Sequence, residues 1–318
     1  MQITVWLSSF VIFRTFAAMI EAYKNRFKDG WYHLLTLLVV VVWGTTFIST
    51  KILLREGLSP ETIFFYRFLL AYLGIWLFGS KRLFAYSLKD ELLFVLLGIS
   101  GGSFYFLLEN YALKITLVSN VSLIVCTAPI LTAVLTHLIL KTEKLTRWLI
   151  QGSFIALVGV TLVVYNGSFI LELSPLGDFL SLLAALFWAF YTIILKHISA
   201  RYSTLFITRK VFFYGLITIL PFLIINPLTM SGEMLIQPVV WGNLLFLGAA
   251  ASLMCYFLWN VTVKKLGTVR TTNYIYFVPI VTLIASAVAL PDEKITFTAL
   301  IGAALILSGV ILSKQKSK

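Results

Sequence analysis

The chain has 318 residues, of which 60% are hydrophobic and 12% charged, with a mean hydropathy of +0.96 and a net charge of +12. A soluble domain is about half apolar and one quarter charged, and a single core stops growing near roughly 250–300 residues. Apolar surface on this scale is therefore expected to face lipid. The basic residues sit in short clusters between apolar runs, not on one stripe or helix, which argues against a nucleic-acid partner.

From the N-terminus, residues 1–30 form an extension in which Val5–Ile20 is apolar but interrupted by Arg14 and followed by basic residues. An amphipathic helix on the inner leaflet and an upstream extension before a true start at Met19 stand as equal alternatives. No secretory signal with a leading basic region and a small-residue cleavage site is evident. A hydrocarbon core about 30 Å thick needs about 20 apolar residues per helix, and that ruler reads ten spans. Five lie near residues 33–53, 62–79, 92–113, 117–140 and 148–165, and five near 177–196, 209–225, 241–263, 269–290 and 297–312. The expected fold class is thus an all-α polytopic membrane protein. The breaks at Gly57 to Pro60, Ser80 to Arg82, Lys141 to Arg147, Asn166 to Pro175 and Asn226 to Pro238 carry turn or polar residues.

Loop charges set the expected orientation. Of the 25 Lys and Arg residues, 20 fall on one side of these spans, four on the other, and Arg67 within a span. The excess marks the cytoplasmic side and places both termini there, in an inner (plasma) membrane.

The chain also matches itself. With a shift of 150, residues 97–162 align without gaps to 247–312 with 17 identities in 66 positions. Gly98 falls on Gly248, Asn110 on Asn260, Lys114 on Lys264 and Pro129 on Pro279. Glu143-Lys144-Leu145-Thr146 recurs as Glu293-Lys294-Ile295-Thr296, and Gly152 and Gly159 recur as Gly302 and Gly309. With a shift of 145, Trp43 and Lys51 fall on Trp188 and Lys196. Two units are expected, residues 31–166 and 177–313, followed by a basic tail at 314–318. Five spans per unit is an odd number, so the second unit is inverted, a design recurrent in secondary transporters.

Here the chain resembles the EamA permeases of the drug/metabolite transporter superfamily. The resemblance rests on Trp43-Gly44, the run from Asn110 to Lys114, Ser119 to Ile124 leading to Pro129, and Glu143-Lys144. Weaker counterparts are Trp188-Ala189, Asn260, Pro279 and Glu293. It covers roughly residues 33–313 and implies a ten-helix carrier of metabolites, often an exporter.

The candidate pathway residues are polar or aromatic groups within spans. Arg67 and Glu109 are the deepest ionisable residues, at matched depths, so they are candidates for an ion pair that forms an outer gate or anchors a charged substrate, with a structural pair whose ends snorkel the plainer reading. Trp43, Tyr105, Trp188, Tyr191, Tyr256, Trp259 and Tyr276 offer rings for a planar or amphipathic solute. Asn110, Asn260 and Asn273 add hydrogen-bonding groups, with bridging between helices the plainer reading for Asn110 and Asn260. Pro129 and Pro279, near mid-span, are expected to free the carbonyls of Val125 and Ile275, either as paired hinges or as static kinks needed for helix packing. His137 reads as interfacial. The glycines around Gly98–Gly102 lack a Walker ending, and the two buried-type cysteines, Cys126 and Cys255, form no metal motif.

A secondary carrier is the expected function, with no metal, no cofactor and no catalytic residue. Its partners are a small-molecule solute and the lipid bilayer, with a homodimer left open. A lipid-handling membrane protein or enzyme, or a channel, are the alternatives.

Overall fold

The computed structural model describes residues 30–77, 82–116, 118–140, 146–165, 174–289 and 297–313. The N-terminal extension, the Glu143 and Glu293 motifs and the basic tail lie outside them. Among the described residues every regular element is helical, and the helices form ten rods. The first five are α1 (Gly30–Arg55), α2 (Pro60–Trp76), α3 (Leu88–Ile115), α4 (residues 118–140) and α5 (Arg147–Tyr165). The second five are α6 (Pro175–Ile198), α7 (Thr204–Ile225), α8 (Pro238–Leu266), α9 (residues 268–289) and α10 (Phe297–Ser313).

The rods are unequal in length and composition. Six, α1, α3, α4, α6, α7 and α8, are long and apolar enough to cross a membrane, while α5 and α10 are shorter apolar helices. Helix starts are set by local chemistry: Ser59, Ser87, Ser174 and Ser203 each accept a hydrogen bond from a first-turn N–H, satisfying a donor that the helix leaves unpaired.

The prolines also depart from expectation. Pro129 and Pro279 do not interrupt continuous helices. α4 breaks at Cys126–Thr127 and restarts at Ala128, with Pro129 in the first turn of the new segment. α9 runs as Thr268–Thr272, a tight 3-10 turn at Asn273–Phe277 and then Val278–Ala289, with Pro279 again in the first turn. Proline is well tolerated there because its missing N–H would be unpaired anyway. The Ile275 carbonyl is not left free: it accepts from the Val278 N–H and from the Cys126 thiol at 3.5 Å. The break in α4 thus touches the break in α9.

Other features recur at equivalent places. α3 contains a π turn at Ile99–Ser103 and α8 one at Phe246–Met254. The Lys51 ammonium donates to the carbonyls of Leu113 and Thr116 at the end of α3, and Lys196 donates to those of Val263 and Lys264 at the end of α8. A cation on the last carbonyls of a helix satisfies unpaired acceptors and complements the helix dipole. α5 and α10 pack backbone to backbone, with Gly152 facing Gly309 and Gly159 facing Gly302. Small residues let lipid-embedded helices approach this closely.

These contacts define two ends of the bundle. Lys51, Ser59, Glu61, Thr116, Asn226 and Thr229 gather at one, where Thr62 bonds Thr229 and Glu61 accepts from Tyr111 and Asn226. The other holds Asp90, Glu91, Lys196, Arg201, Tyr202 and Lys210. There Arg201 pairs with Asp90 at 2.7 Å and Lys210 pairs with Glu91. Burial holds the Tyr202 hydroxyl above the ordinary tyrosine pKa, so it stays a donor to Asp90 at 2.9 Å.

Candidate functional site

Between the two ends lies a cavity of about 40 Å³, bordered by α1, α2, α3, α4, α6, α8 and α9. Its first-unit wall includes Trp43, Phe47, Arg67, Tyr105, Phe106 and Glu109, and its second-unit wall Trp188, Tyr256, Ile275 and Val278. Thr46 and Val125 complete the lining. Several linings are repeat partners: Trp43 with Trp188, Phe106 with Tyr256, and Val125 with Ile275. The cavity therefore sits where corresponding parts of the two units meet.

The π turns shape this wall. A π turn shifts the hydrogen-bond ladder by one residue and leaves carbonyls available to side chains. The Tyr256 hydroxyl donates to Gly101 O, and the Trp43 indole N–H donates to Ala251 O at 3.0 Å. Gly101 and Ala251 are 150 residues apart, so each unit offers its partner the same carbonyl. Gly101 must be glycine because a Cβ there would lie 2.2 Å from the Tyr191 ring.

Arg67 is 2% exposed and Glu109 6%. They face one cavity, but no ion pair closes between them, which corrects the direct pairing expected from their matched depth. The Arg67 Nε donates to Ser252 Oγ at 3.0 Å within the second π turn, and its guanidinium lies 4.0 Å from the centre of the Phe106 ring. Glu109 instead accepts from the Tyr105 hydroxyl at 2.7 Å. Each charge is thus held by its own support. Ser252→Ala removes the acceptor of a buried cation and is expected to lower stability by about 1–3 kcal/mol. A thermal denaturation midpoint unchanged from wild type would show that Ser252 does not anchor Arg67.

The other candidates stand behind or away from the cavity. Trp259 packs on Trp43 with ring centres 4.9 Å apart, and Tyr191 donates to Asn260 Oδ1. Asn260 also donates to Thr208 at 2.8 Å, tying α8 to α7, while Asn110 donates to Pro60 O at 3.2 Å, tying α3 to α2. Asn273 donates to Ser313 at 3.0 Å on α10. Tyr276 is buried outside the lining. Phe47, Phe106, Val278 and Ser252 were not singled out in the sequence. The available signal was position: Phe106 is one turn before Glu109 and aligns with Tyr256, and Ser252 aligns with Gly102.

Lipid-length apolar helices around a buried polar and aromatic cavity make a multi-pass membrane transporter, and no cluster of potential metal ligands is found among the described residues. The EamA-like transporter family matches the chain twice, over residues 30–165 and 175–314. The chain belongs to this family, with its two-unit layout, and is a transporter, not an enzyme. An "Uncharacterized transporter" of Archaeoglobus fulgidus is 31% identical over 292 residues, spanning 89% of this chain and 97% of its own. A "Probable amino-acid metabolite efflux pump" of Salmonella typhimurium is 30% identical over 299 residues, spanning 90% and 94%. A solved crystal structure 16% identical in sequence shares the fold with a TM-score of 0.71, over 90% of this chain and 97% of that one.

Proposed function

We propose that the chain is a secondary transporter that exports small amino-acid-like metabolites across the inner membrane by alternating access. All ten rods are taken to cross the bilayer in two inverted five-helix repeats, with both termini and the Asp90–Lys210 end in the cytoplasm. The carrying observation is the cavity at the junction of the units, lined by repeat partners and only about 40 Å³ in volume. Ligand pockets for small molecules run to about 300–1,000 Å³, so a metabolite enters only when helices part. Two units with matching breaks in α4 and α9 support such an exchange, each opening the cavity to one side. The hinge is then the break just before Pro129 and Pro279.

Amino-acid-like cargo is supported by the name of the Salmonella typhimurium relative, a probable amino-acid metabolite efflux pump, and by charged and aromatic groups in one cavity. The basic side of the loops supports the orientation. Cells overproducing the protein are expected to accumulate a specific amino-acid-like solute in the medium. Proteoliposomes should then carry that solute saturably, with flux stimulated by counter-solute on the other side. Flux that rises linearly with concentration and ignores counter-solute would mark a channel instead and end the alternating-access reading.

A further inference from the structure

We infer that the cavity recognises a zwitterion, an α-amino acid with an apolar side chain, taking its ammonium group at Glu109 and its carboxylate at Arg67 and Trp188. The inference deepens the transport reading and rests on it for the passage of solute, but not for binding. It starts from which polar groups in the cavity already have protein partners. The Trp43 indole is committed to Ala251 O, the Tyr256 hydroxyl to Gly101 O, the Tyr105 hydroxyl to Glu109, and Thr46 to Trp43 O. Three groups are left over. The Trp188 indole N–H is buried with no partner. Arg67 commits only Nε, to Ser252, which leaves its two terminal nitrogens. Glu109 commits only one carboxylate oxygen, to Tyr105.

The leftover set is therefore one anionic acceptor and two donor groups, one of them a cation, in the lining of one cavity. A neutral polar solute satisfies neither charge, an organic cation satisfies only Glu109, and an organic anion satisfies only Arg67. A zwitterion satisfies both, and the absence of a direct Arg67–Glu109 pair keeps both available. The supports on Ser252, Phe106 and Tyr105 hold the two charges apart without neutralising them.

The repeat gives the solute a direction. In the 150-residue alignment the partner of Glu109 is Trp259, so the second unit does not duplicate the carboxylate. The charged head accordingly lies toward α2 and α3. The rest of the solute meets Tyr256, Ile275, Val278 and Val125, which are aromatic or aliphatic. A polar side chain would lose its hydration there without replacement.

The test is binding to the purified protein in detergent, read by thermal shift and by quenching of tryptophan fluorescence, since Trp43 and Trp188 line the cavity. The probes are L-leucine, L-methionine and L-phenylalanine, and the single-charge analogues phenethylamine and 3-phenylpropanoate. At least one of the three amino acids is expected to bind, and both analogues are expected to bind at least roughly tenfold more weakly than L-phenylalanine, because each leaves one buried charge unpaired. Glu109→Gln should weaken L-phenylalanine at least tenfold while 3-phenylpropanoate binds no less tightly than to wild type, whereas Arg67→Gln should weaken L-phenylalanine while phenethylamine binds no less tightly. Arg67→Lys should recover part of the amino-acid affinity. That crossed pattern cannot come from misfolding, which weakens every probe alike.

Failure of all three amino acids to bind, analogue binding as tight as that of L-phenylalanine, or equal loss of every probe in both variants overturns the proposal. Binding with the crossed pattern but without export from cells overturns the transport direction and leaves zwitterion recognition standing. Saturable flux of solutes that lack one of the two charges does the reverse.

Discussion

Replacing Glu91 by leucine is expected to cost about 3–5 kcal/mol of stability, because it strands a buried ammonium group. Glu91 lies in the first turn of α3 and gathers donors from two other parts of the chain. The Lys210 ammonium and the Tyr214 hydroxyl of α7 donate to one carboxylate oxygen, and the Ala85 N–H donates to the other at 2.8 Å. The Lys210 side chain is 5% exposed and that of Glu91 18%. The pair therefore ties α3 of the first unit to α7 of the second at the Asp90–Lys210 end. Removing one partner of a buried pair leaves an uncompensated charge, whereas removing both is often close to neutral. Glu91→Leu with Lys210→Met should accordingly be much more stable than Glu91→Leu alone, by about 2 kcal/mol or more. Thermal midpoints of the two single variants and the double variant measure this, and additive losses would show that the pair is not coupled.

The contrast between what the sequence disclosed and what it withheld has physical causes. Glycine and proline carry backbone information directly, so Gly98, Gly152 and Gly159, with Pro129 and their partners, exposed the repeat before any contact was known. The apolar runs and the loop breaks placed the rods. The inward face of each helix was harder to read, because a helix apolar all round gives no periodic signal for which side meets a cavity. That is why Trp259 and Tyr191, as apolar and aromatic as Trp43 and Trp188, could not be ranked behind them. The π turns had no signature either. They arise where α3 passes Gly215 and Tyr191 and where α8 passes α2, and the carbonyls they release to Trp43 and Tyr256 exist only in the packed bundle. Ser252 was hidden for the same reason, being an ordinary serine until Arg67 reaches it.

The repeated glycines of α5 and α10 lead to the second large effect. A Cβ on Gly159 would lie 2.6 Å from Gly302 O, and one on Gly302 would lie 2.6 Å from Gly159 O. One turn pair along, the same holds for Gly152 and Gly309, with Cβ positions 2.5 Å from each other's carbonyl oxygens. Backbone cannot yield as a flexible side chain can, so the two helices would have to separate along the whole contact. Gly159→Leu is expected to destabilise the protein by about 3 kcal/mol or more, at the upper end for overpacked interiors. Lipid does not compensate for the lost contact, since helix association in a bilayer depends on this close packing. Gly242→Leu, on α8 with nothing within 4 Å of its Cβ position, is the matched control and should change stability little. The readout is the fraction of monodisperse protein recovered in detergent and its thermal midpoint. Equal behaviour of the Gly159 and Gly242 variants would mean that α5 and α10 part freely, and the paired glycines would then owe their recurrence to something other than this contact.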